Sequence, residues 1–226
     1  MRISVVIPAL EEAGGIPAAL EALAPLRARG HEVIVVDGGS RDGTADVARA
    51  GADRVLVAPR GRARQMNAGA AVARGELLLF LHADTRLPPD ADRLLADALG
   101  CGTRRWGRFD VRLADSGWQF RIIERAMNLR SRLTGIATGD QAMFVERRMF
   151  FEAGGFAPIA LMEDIALSAW LRRRHRPLCL RAAVTTSARR WRKHGIARTV
   201  LRMWWMRAAY ACGVDPAWLA SRYDAP

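Results

Sequence analysis

Residues 32–44 read Glu-Val-Ile-Val-Val-Asp-Gly-Gly-Ser-Arg-Asp-Gly-Thr. Four consecutive apolar, mostly β-branched residues end on an acid, and a turn rich in Gly, Ser and Asp follows. A strand with apolar side chains on both faces is buried on both faces, as in a parallel sheet covered by helices. Comparable runs lie at Ile3–Ile7, Arg54–Val57 and Leu77–Leu81. Between them are Ala-rich stretches with helical spacing, at Ile16–Arg29, Thr44–Ala50 and Arg62–Arg74. This alternation predicts an α/β fold, a Rossmann-like, mostly parallel sheet flanked by helices. Right-handed crossovers put every strand's C-terminal end on one edge, where open α/β sheets bind ligands.

The second half is less regular. Trp106–Leu113 and Gln141–Val145 read as strands, and Leu178–Leu180 and Val184–Thr186 as short extended pieces. Helices are expected at Trp118–Leu133, Glu163–Arg174 and about Gly195–Cys212. No Ser- or Pro-rich linker separates the halves, so the chain is expected to form a single domain over residues 1–226. Within it, residues 1–100 form a ligand-binding half, 101–190 a second half and 191–226 a basic C-terminal segment.

The 226 residues are 50% hydrophobic and 26% charged, the composition of an ordinary globular domain. Three scattered cysteines (Cys101, Cys179 and Cys212) exclude a disulfide framework and a cysteine zinc site, and suit a reducing cytoplasm. The N-terminal apolar run is too short for a signal peptide, and no stretch is apolar enough to span a membrane. The net charge is +12, from 35 basic and 23 acidic residues. Residues 1–100 are nearly neutral, with 12 basic and 13 acidic side chains, whereas residues 101–226 hold 23 and 10. Such asymmetry points to an anionic partner, although 34 of the 35 basic residues are Arg, which also fits a compositional bias.

Carboxylates collect after three of the strands: Pro8-Ala9-Leu10-Glu11-Glu12 after the first, Asp37 closing the second, and His82-Ala83-Asp84 after the fourth. Clustered acids are costly unless a cation or hydrogen-bond donors satisfy them. Ser40 and Asp42 are explained by turn chemistry; Asp37 and Asp84, ending apolar strands, are the functional candidates. No GxGxxG or GxxxxGK[ST] loop is present, so a phosphate-bearing ligand would need another counter-charge. A divalent cation on Asp84, Mg²⁺ or Mn²⁺, is the natural one.

Pro8–Glu12, Val35–Thr44, Leu81–Asp84, Gly139–Phe144, Gly154-Gly155-Phe156 and Glu163-Asp164 occur in the order and spacing of a family 2 glycosyltransferase. The resemblance covers about residues 2–175. It implies the GT-A fold and inverting transfer of a sugar from a nucleotide diphosphate sugar to an acceptor hydroxyl, assisted by Mg²⁺ or Mn²⁺. It assigns Pro8 and Glu12 to the border of the nucleotide and Asp37 to its base. Arg64 would lie against the nucleotide, Asp84 would bind the metal as the last acid of a DxD motif, and Asp164 would be the catalytic base. Two departures stand out: His82 replaces the first acid of the DxD motif, and Glu11 stands where the family commonly has Asn. A His-Ala-Asp together with an Arg-Arg-Trp also resembles members associated with arsenosugar biosynthesis, a lead on pathway only.

Two C-terminal features add expectations. Arg189-Arg190-Trp191-Arg192-Lys193-His194 is the densest cationic run; it suits a pyrophosphate, an anionic lipid head group or a solvated face. The helix after it carries Trp204, Trp205 and Tyr210 beside arginines. It either lies at a membrane interface, giving peripheral contact with the inner face and access to a lipid-linked acceptor, or packs its Trp face onto the domain. Competing functions are a nucleotidyltransferase, disfavoured by the acidic first loop, and a nucleotide-sugar-binding protein without turnover. A nucleic-acid-binding module lacks any motif, so no specific nucleic-acid partner is expected.

Overall fold

The computed structural model describes residues 1–100 and 102–223, except the side chains of Arg190 and His194. Cys101 and the side chain of His194 in the basic run thus lie outside what is described. The strands are β1 (Ile3–Ala9), β2 (Glu32–Asp37), β3 (Arg54–Val57), β4 (Leu77–Phe80), β5 (Thr85–Arg86), β6 (Trp106–Leu113), β7 (Phe144–Glu146) and β8 (Leu178–Thr186). They form one sheet in the order β3-β2-β1-β4-β7-β6-β8-β5. The first four pair in parallel. β7 runs antiparallel to both β4 and β6, so it joins the two halves of the chain edge to edge. β8 is parallel to β6, and β5 closes the edge antiparallel to β8.

The helices are α1 (Ile16–Ala28), α2 (Thr44–Ala48), α3 (Arg62–Val72), α4 (Ala91–Gly100), α5 (Trp118–Thr134), α6 (Arg147–Glu152), α7 (Glu163–Arg172), α8 (Arg189–His194), α9 (Ile196–Ala211) and α10 (Pro216–Tyr223). Alternate side chains of a strand point to opposite faces, and the core divides accordingly. Ile3, Val5 and Ile7 of β1 join Leu20, Leu23 and Leu26 of α1. Val6, with Ile34 and Val36 of β2, joins Met66 and Ala70 of α3 and the rings of Phe80, Phe150 and Phe156. At Gly69 a Cβ would stand 2.4 Å from Val6 Cγ1, so only glycine lets α3 approach β1 this closely.

The structure corrects two sequence readings. Gln141–Val145 is not one strand: Gly139–Gln141 is a 3₁₀ turn, and β7 begins only at Phe144. Gln141 folds back, its Oε1 accepting the Thr138 N–H, which stops the segment from extending. The two extended pieces after residue 178 are one strand, β8, with a register break opposite Phe109 and Asp110.

Candidate active site

The C-terminal ends of β1 and β2 are pinned from above. Gln65 of α3 donates from Nε2 to the carbonyls of Ala9 and Val36, both at 2.8 Å. Two residues on, Asn67 clasps the Phe156 backbone, donating to its carbonyl at 2.8 Å and accepting its N–H at 2.9 Å. That clasp explains the Gly154-Gly155-Phe156 motif as a docking point for α3.

The loops after β1 and β2 are laced together. The Ser40 hydroxyl accepts the Glu11 N–H, Thr44 Oγ1 accepts the Glu12 N–H, and Asp42 accepts the Ala13 N–H, each at 2.9 Å. Glu11 has φ +53°, a left-handed conformation that Asn tolerates better than Glu. This accounts for the residue type common in the family at that position. Glu11 compensates through Oε1, which accepts the Arg41 N–H at 2.8 Å. Asp37 is buried, and its carboxylate accepts the N–H groups of Gly39 and Ser40 at 2.9 Å and the Ser40 hydroxyl.

Two adjoining cavities open at this edge. The larger, of about 360 Å³, is lined by Pro8, Glu12, Arg60, Arg62, His82 and Asp84, among others. The smaller, of about 140 Å³, is lined by Gly139, Asp140, Asp164, Thr199, Met203 and Arg207, among others. Arg62, His82 and Asp84 line both and so form the wall between them. The structure thus brings together Pro8, Glu12, His82, Asp84 and Asp164 from the sequence candidates. Asp37 and Arg64 line neither cavity: Asp37 serves its own turn, and Arg64 lies on the exposed side of α3. The basic side chain of α3 that faces the cleft is Arg62.

At the wall, Asp84 keeps its carboxylate one-third exposed. Its Oδ1 meets the hydroxyls of Thr85 and Thr186 only at 3.4 and 3.5 Å. The Arg189 guanidinium, from the basic run, lies 3.9 Å from both Asp84 and Glu12. Burial raises the Glu12 pKa above its ordinary value; Arg189 opposes this, and Asp84 and Asp42 add to it. His82 Nδ1 lies 3.5 Å from Asp140 Oδ1. Its ring fits only because residue 139 is glycine, where a Cβ would stand 2.5 Å from Nε2.

Asp164 sits in the first turn of α7, with Oδ2 accepting the Gly139 N–H at 2.8 Å and Oδ1 the Ile165 N–H at 2.7 Å. Its neighbour Glu163 does not line the cavity; it is buried, with Oε1 3.0 Å from Arg62 Nε and Oε2 without a hydrogen-bond partner among the described residues. Burial raises the Glu163 pKa, Arg62 opposes it, and Asp164 adds to it. Of this acidic pair, Asp164 is the one that faces the cavity.

Among the described residues no group of three or more His, Cys, Asp and Glu side chains would hold a metal ion. The donor set fits a hard cation bound in another way, by one or two carboxylates plus substrate phosphates. Asp84 and Glu12 face the larger cavity, and the Arg189 guanidinium that meets them both stands no closer than 3.9 Å.

The glycosyl transferase family 2 profile matches residues 4–155. The chain belongs to glycosyl transferase family 2. A curated member, the undecaprenyl-phosphate 4-deoxy-4-formamido-L-arabinose transferase of Pseudomonas aeruginosa, is 32% identical over 165 residues, covering 67% of this chain and 48% of its own. The chain therefore spans about half the length of the curated relatives it matches most strongly. Among solved structures, S. aureus TarS 1-349 in complex with UDP-GlcNAc superposes with a TM-score of 0.66 at 18% identity, covering 83% of this chain and 58% of that one. The mannosyltransferase PcManGT from Pyrobaculum calidifontis, in complex with GDP-Man and Mn²⁺, gives 0.64 at 20% identity, covering 92% and 61%. These likenesses bear out the GT-A fold expected of this family 2 chain.

The C-terminal helices of this family 2 chain pack differently from one sequence expectation. Met206 of α9 and Leu219 of α10 are buried against Leu161 and Met162, while Trp204 is 67% exposed. The tryptophans of α9 therefore point outward, and the helix is not docked by its Trp face. No helix among the described residues is long and apolar enough to cross a membrane.

Proposed function

We propose that the chain is an inverting glycosyltransferase. It takes a nucleotide diphosphate sugar in the larger cavity and an acceptor in the smaller one. The observation that carries this reading is the common wall: Asp84, His82 and Arg62 line both cavities, and Asp164 lines the smaller one. The complexes of structural neighbours with UDP-GlcNAc and with GDP-Man and Mn²⁺ support the donor class.

The proposed reaction is a single displacement. The acceptor hydroxyl attacks the anomeric carbon from the side of the smaller cavity, Asp164 takes its proton, and the bond to the diphosphate oxygen breaks on the opposite face. A divalent cation held by Asp84 and the donor's phosphates would supply countercharge to the leaving diphosphate. Arg62 and Arg189 stand where they add to that countercharge. His82 carries no negative charge, so it suits a hydrogen bond to the donor's ribose or phosphate. Pro8 and Glu12 border the donor; Asp37 shapes the loop beside it, and Arg64 is left for a peripheral nucleotide contact.

We further propose that the chain acts at the cytoplasmic face of a membrane, touching it through α9. Trp204, Trp205 and Trp218 are exposed together, and the rings of Trp205 and Trp218 meet at a tilt of 49° with centroids 5.8 Å apart. The curated relative's name, an undecaprenyl-phosphate transferase, supports a lipid-linked acceptor. Transfer is tested by following nucleoside diphosphate release over a panel of donors and determining the product's anomeric configuration by NMR. Inversion is expected; retention of configuration would overturn the single displacement.

A further inference from the structure

Two guanidiniums at the smaller cavity carry buried nitrogens that have no hydrogen-bond partner among the described residues. Nε and Nη2 of Arg130, on α5, and Nε of Arg207, on α9, are shielded from solvent and donate no hydrogen bond among the described residues. Their neighbours differ. Arg108 is satisfied by Ser131 Oγ and the Asn128 carbonyl, both at 3.0 Å, and by Asp110. Arg62 is held by Glu163. Arg207 lines the smaller cavity, and Arg130 is close enough to feel its charge.

The Arg130 pKa is lowered to about 10, first by burial; Arg207 and Arg108 add to the fall, and Asp164 and Asp140 oppose it. Burial likewise lowers the Arg207 pKa, against Asp164 and Asp140. Asp164 accepts the Gly139 and Ile165 N–H groups and, among the described residues, no hydrogen bond from either guanidinium. Unpartnered buried donors on charged groups are costly and call for a ligand that pairs them.

We propose that the acceptor carries a phosphate monoester, bound by Arg207 with Arg130 behind it, next to Asp164. The proposal rests on the reading of the smaller cavity as the acceptor's. A guanidinium fork matches phosphate oxygens, and a phosphate monoester's charge of about −1.5 to −2 answers two cations where a neutral sugar answers neither. The cavity's 140 Å³ is close to the ~150 Å³ that admits benzene, ample for such a head group. The phosphate belongs either to a soluble metabolite, which also bears the attacking hydroxyl, or to a lipid carrier, whose own phosphate oxygen would attack in the hydroxyl's place. The helices that supply the arginines also carry outward apolar stripes, Trp118, Ile122, Leu129 and Leu133 on α5 and Leu201, Trp204 and Trp205 on α9.

The test is calorimetric titration of the full chain, first saturated with a nucleoside diphosphate and Mn²⁺ to block the donor's phosphate site. The probes are glycerol 3-phosphate in solution and geranyl phosphate in detergent micelles, with glycerol and geraniol as uncharged controls. At least one phosphate should bind, its parent alcohol should not, and R207M and R130M should each weaken it about ten- to a hundredfold. Nucleoside diphosphate affinity should stay within twofold. Tighter binding of geranyl phosphate names a lipid source, and tighter binding of glycerol 3-phosphate a soluble one. Both support the shared chemistry. Removing an unpartnered buried cation should not lower the melting temperature; where a Met variant melts lower, R207K and R130K carry the comparison. The proposal is overturned if neither phosphate binds while the nucleotide does, if alcohol and phosphate bind alike, or if the variants bind as the wild type does. Should the nucleotide itself fail to bind, the sugar-transfer reading falls. Arginine-dependent phosphate binding by the free chain would still uphold the site.

Discussion

Replacing Asp164 by Asn separates the chemistry of this carboxylate from its structural work. Asp164 holds two backbone N–H groups, those of Gly139 at 2.8 Å and Ile165 at 2.7 Å, from the first turn of α7. Asn keeps one acceptor oxygen at nearly the same volume. Losing the charge at a helix N-terminus costs about 0.3–1 kcal/mol, and weakening one hydrogen bond costs about 1 kcal/mol. A total of about 1–2 kcal/mol should lower the melting temperature by ~2–8 °C in a chain of this size. The proton acceptor itself is worth roughly 10²–10⁴ in rate, about 3–5 kcal/mol of barrier. D164N should therefore stay folded at 25 °C, bind donor as the wild type does, and release nucleoside diphosphate at most one-hundredth as fast with saturating acceptor. The assay is continuous detection of the nucleoside diphosphate, with a parallel melt by circular dichroism. A folded D164N within tenfold of the wild-type rate would refute Asp164 as the base.

Two further predictions concern Glu163 and α9. Burial holds the Glu163 carboxyl above its ordinary value of 4.5, so the folded chain binds that proton more tightly than the unfolded chain does. Its contribution to stability is complete below 4.5 and is lost as the pH rises through the folded value, a loss that an uncharged Gln escapes. The melting temperature of E163Q relative to wild type should thus be higher at pH 7.5 than at pH 4.5; a difference that falls or stays flat across this range contradicts the assignment. Wild type should float with anionic phosphatidylglycerol liposomes at low salt and the W204A/W205A double variant should not; equal flotation of the two would exclude α9 as the contact.

The first half of the fold was legible because β1, β2 and β4 are buried on both faces, and a run such as Val33–Val36 has no soluble alternative. The short elements were not. β5 has two residues, too few to show an alternation. α4 went unread although Ala91, Leu94, Leu95, Ala98 and Leu99 fall at helical spacing, because it lies between the two halves where no strand signal frames it. Residues 139–141 misled because the folding back of Gln141 depends on Thr138, a local hydrogen bond that apolar patterning does not encode.

The site divides in the same way. Glu12, His82 and Asp84 were legible as residues just past strands, and Asp164 through the ordered family motifs. Arg62 was missed in favour of Arg64. Two helical residues apart is a rotation of about 200°, so one faces the cleft and the other solvent, and only the docking of α3 decides which. Gln65 and Asn67 act through the backbone of distant segments, and nothing in their own neighbourhood of the sequence marks them. Arg130 and Arg207 meet only when α5 and α9 fold together, and in a chain with 34 arginines neither stands out.

The central claim is that the carboxylates at the strand ends bind a nucleotide diphosphate sugar through a divalent cation. Thermal melting of wild type and D84A with uridine, guanosine, adenosine and cytidine diphosphates, each with and without Mn²⁺, tests it most directly. A ligand at a hundred times its Kd adds about 2.7 kcal/mol, roughly 5–11 °C for a chain of this size. An Mn²⁺-dependent rise with one nucleotide is expected in wild type and none in D84A. No rise with any nucleotide in the folded wild type, or an equal rise in D84A, would contradict it.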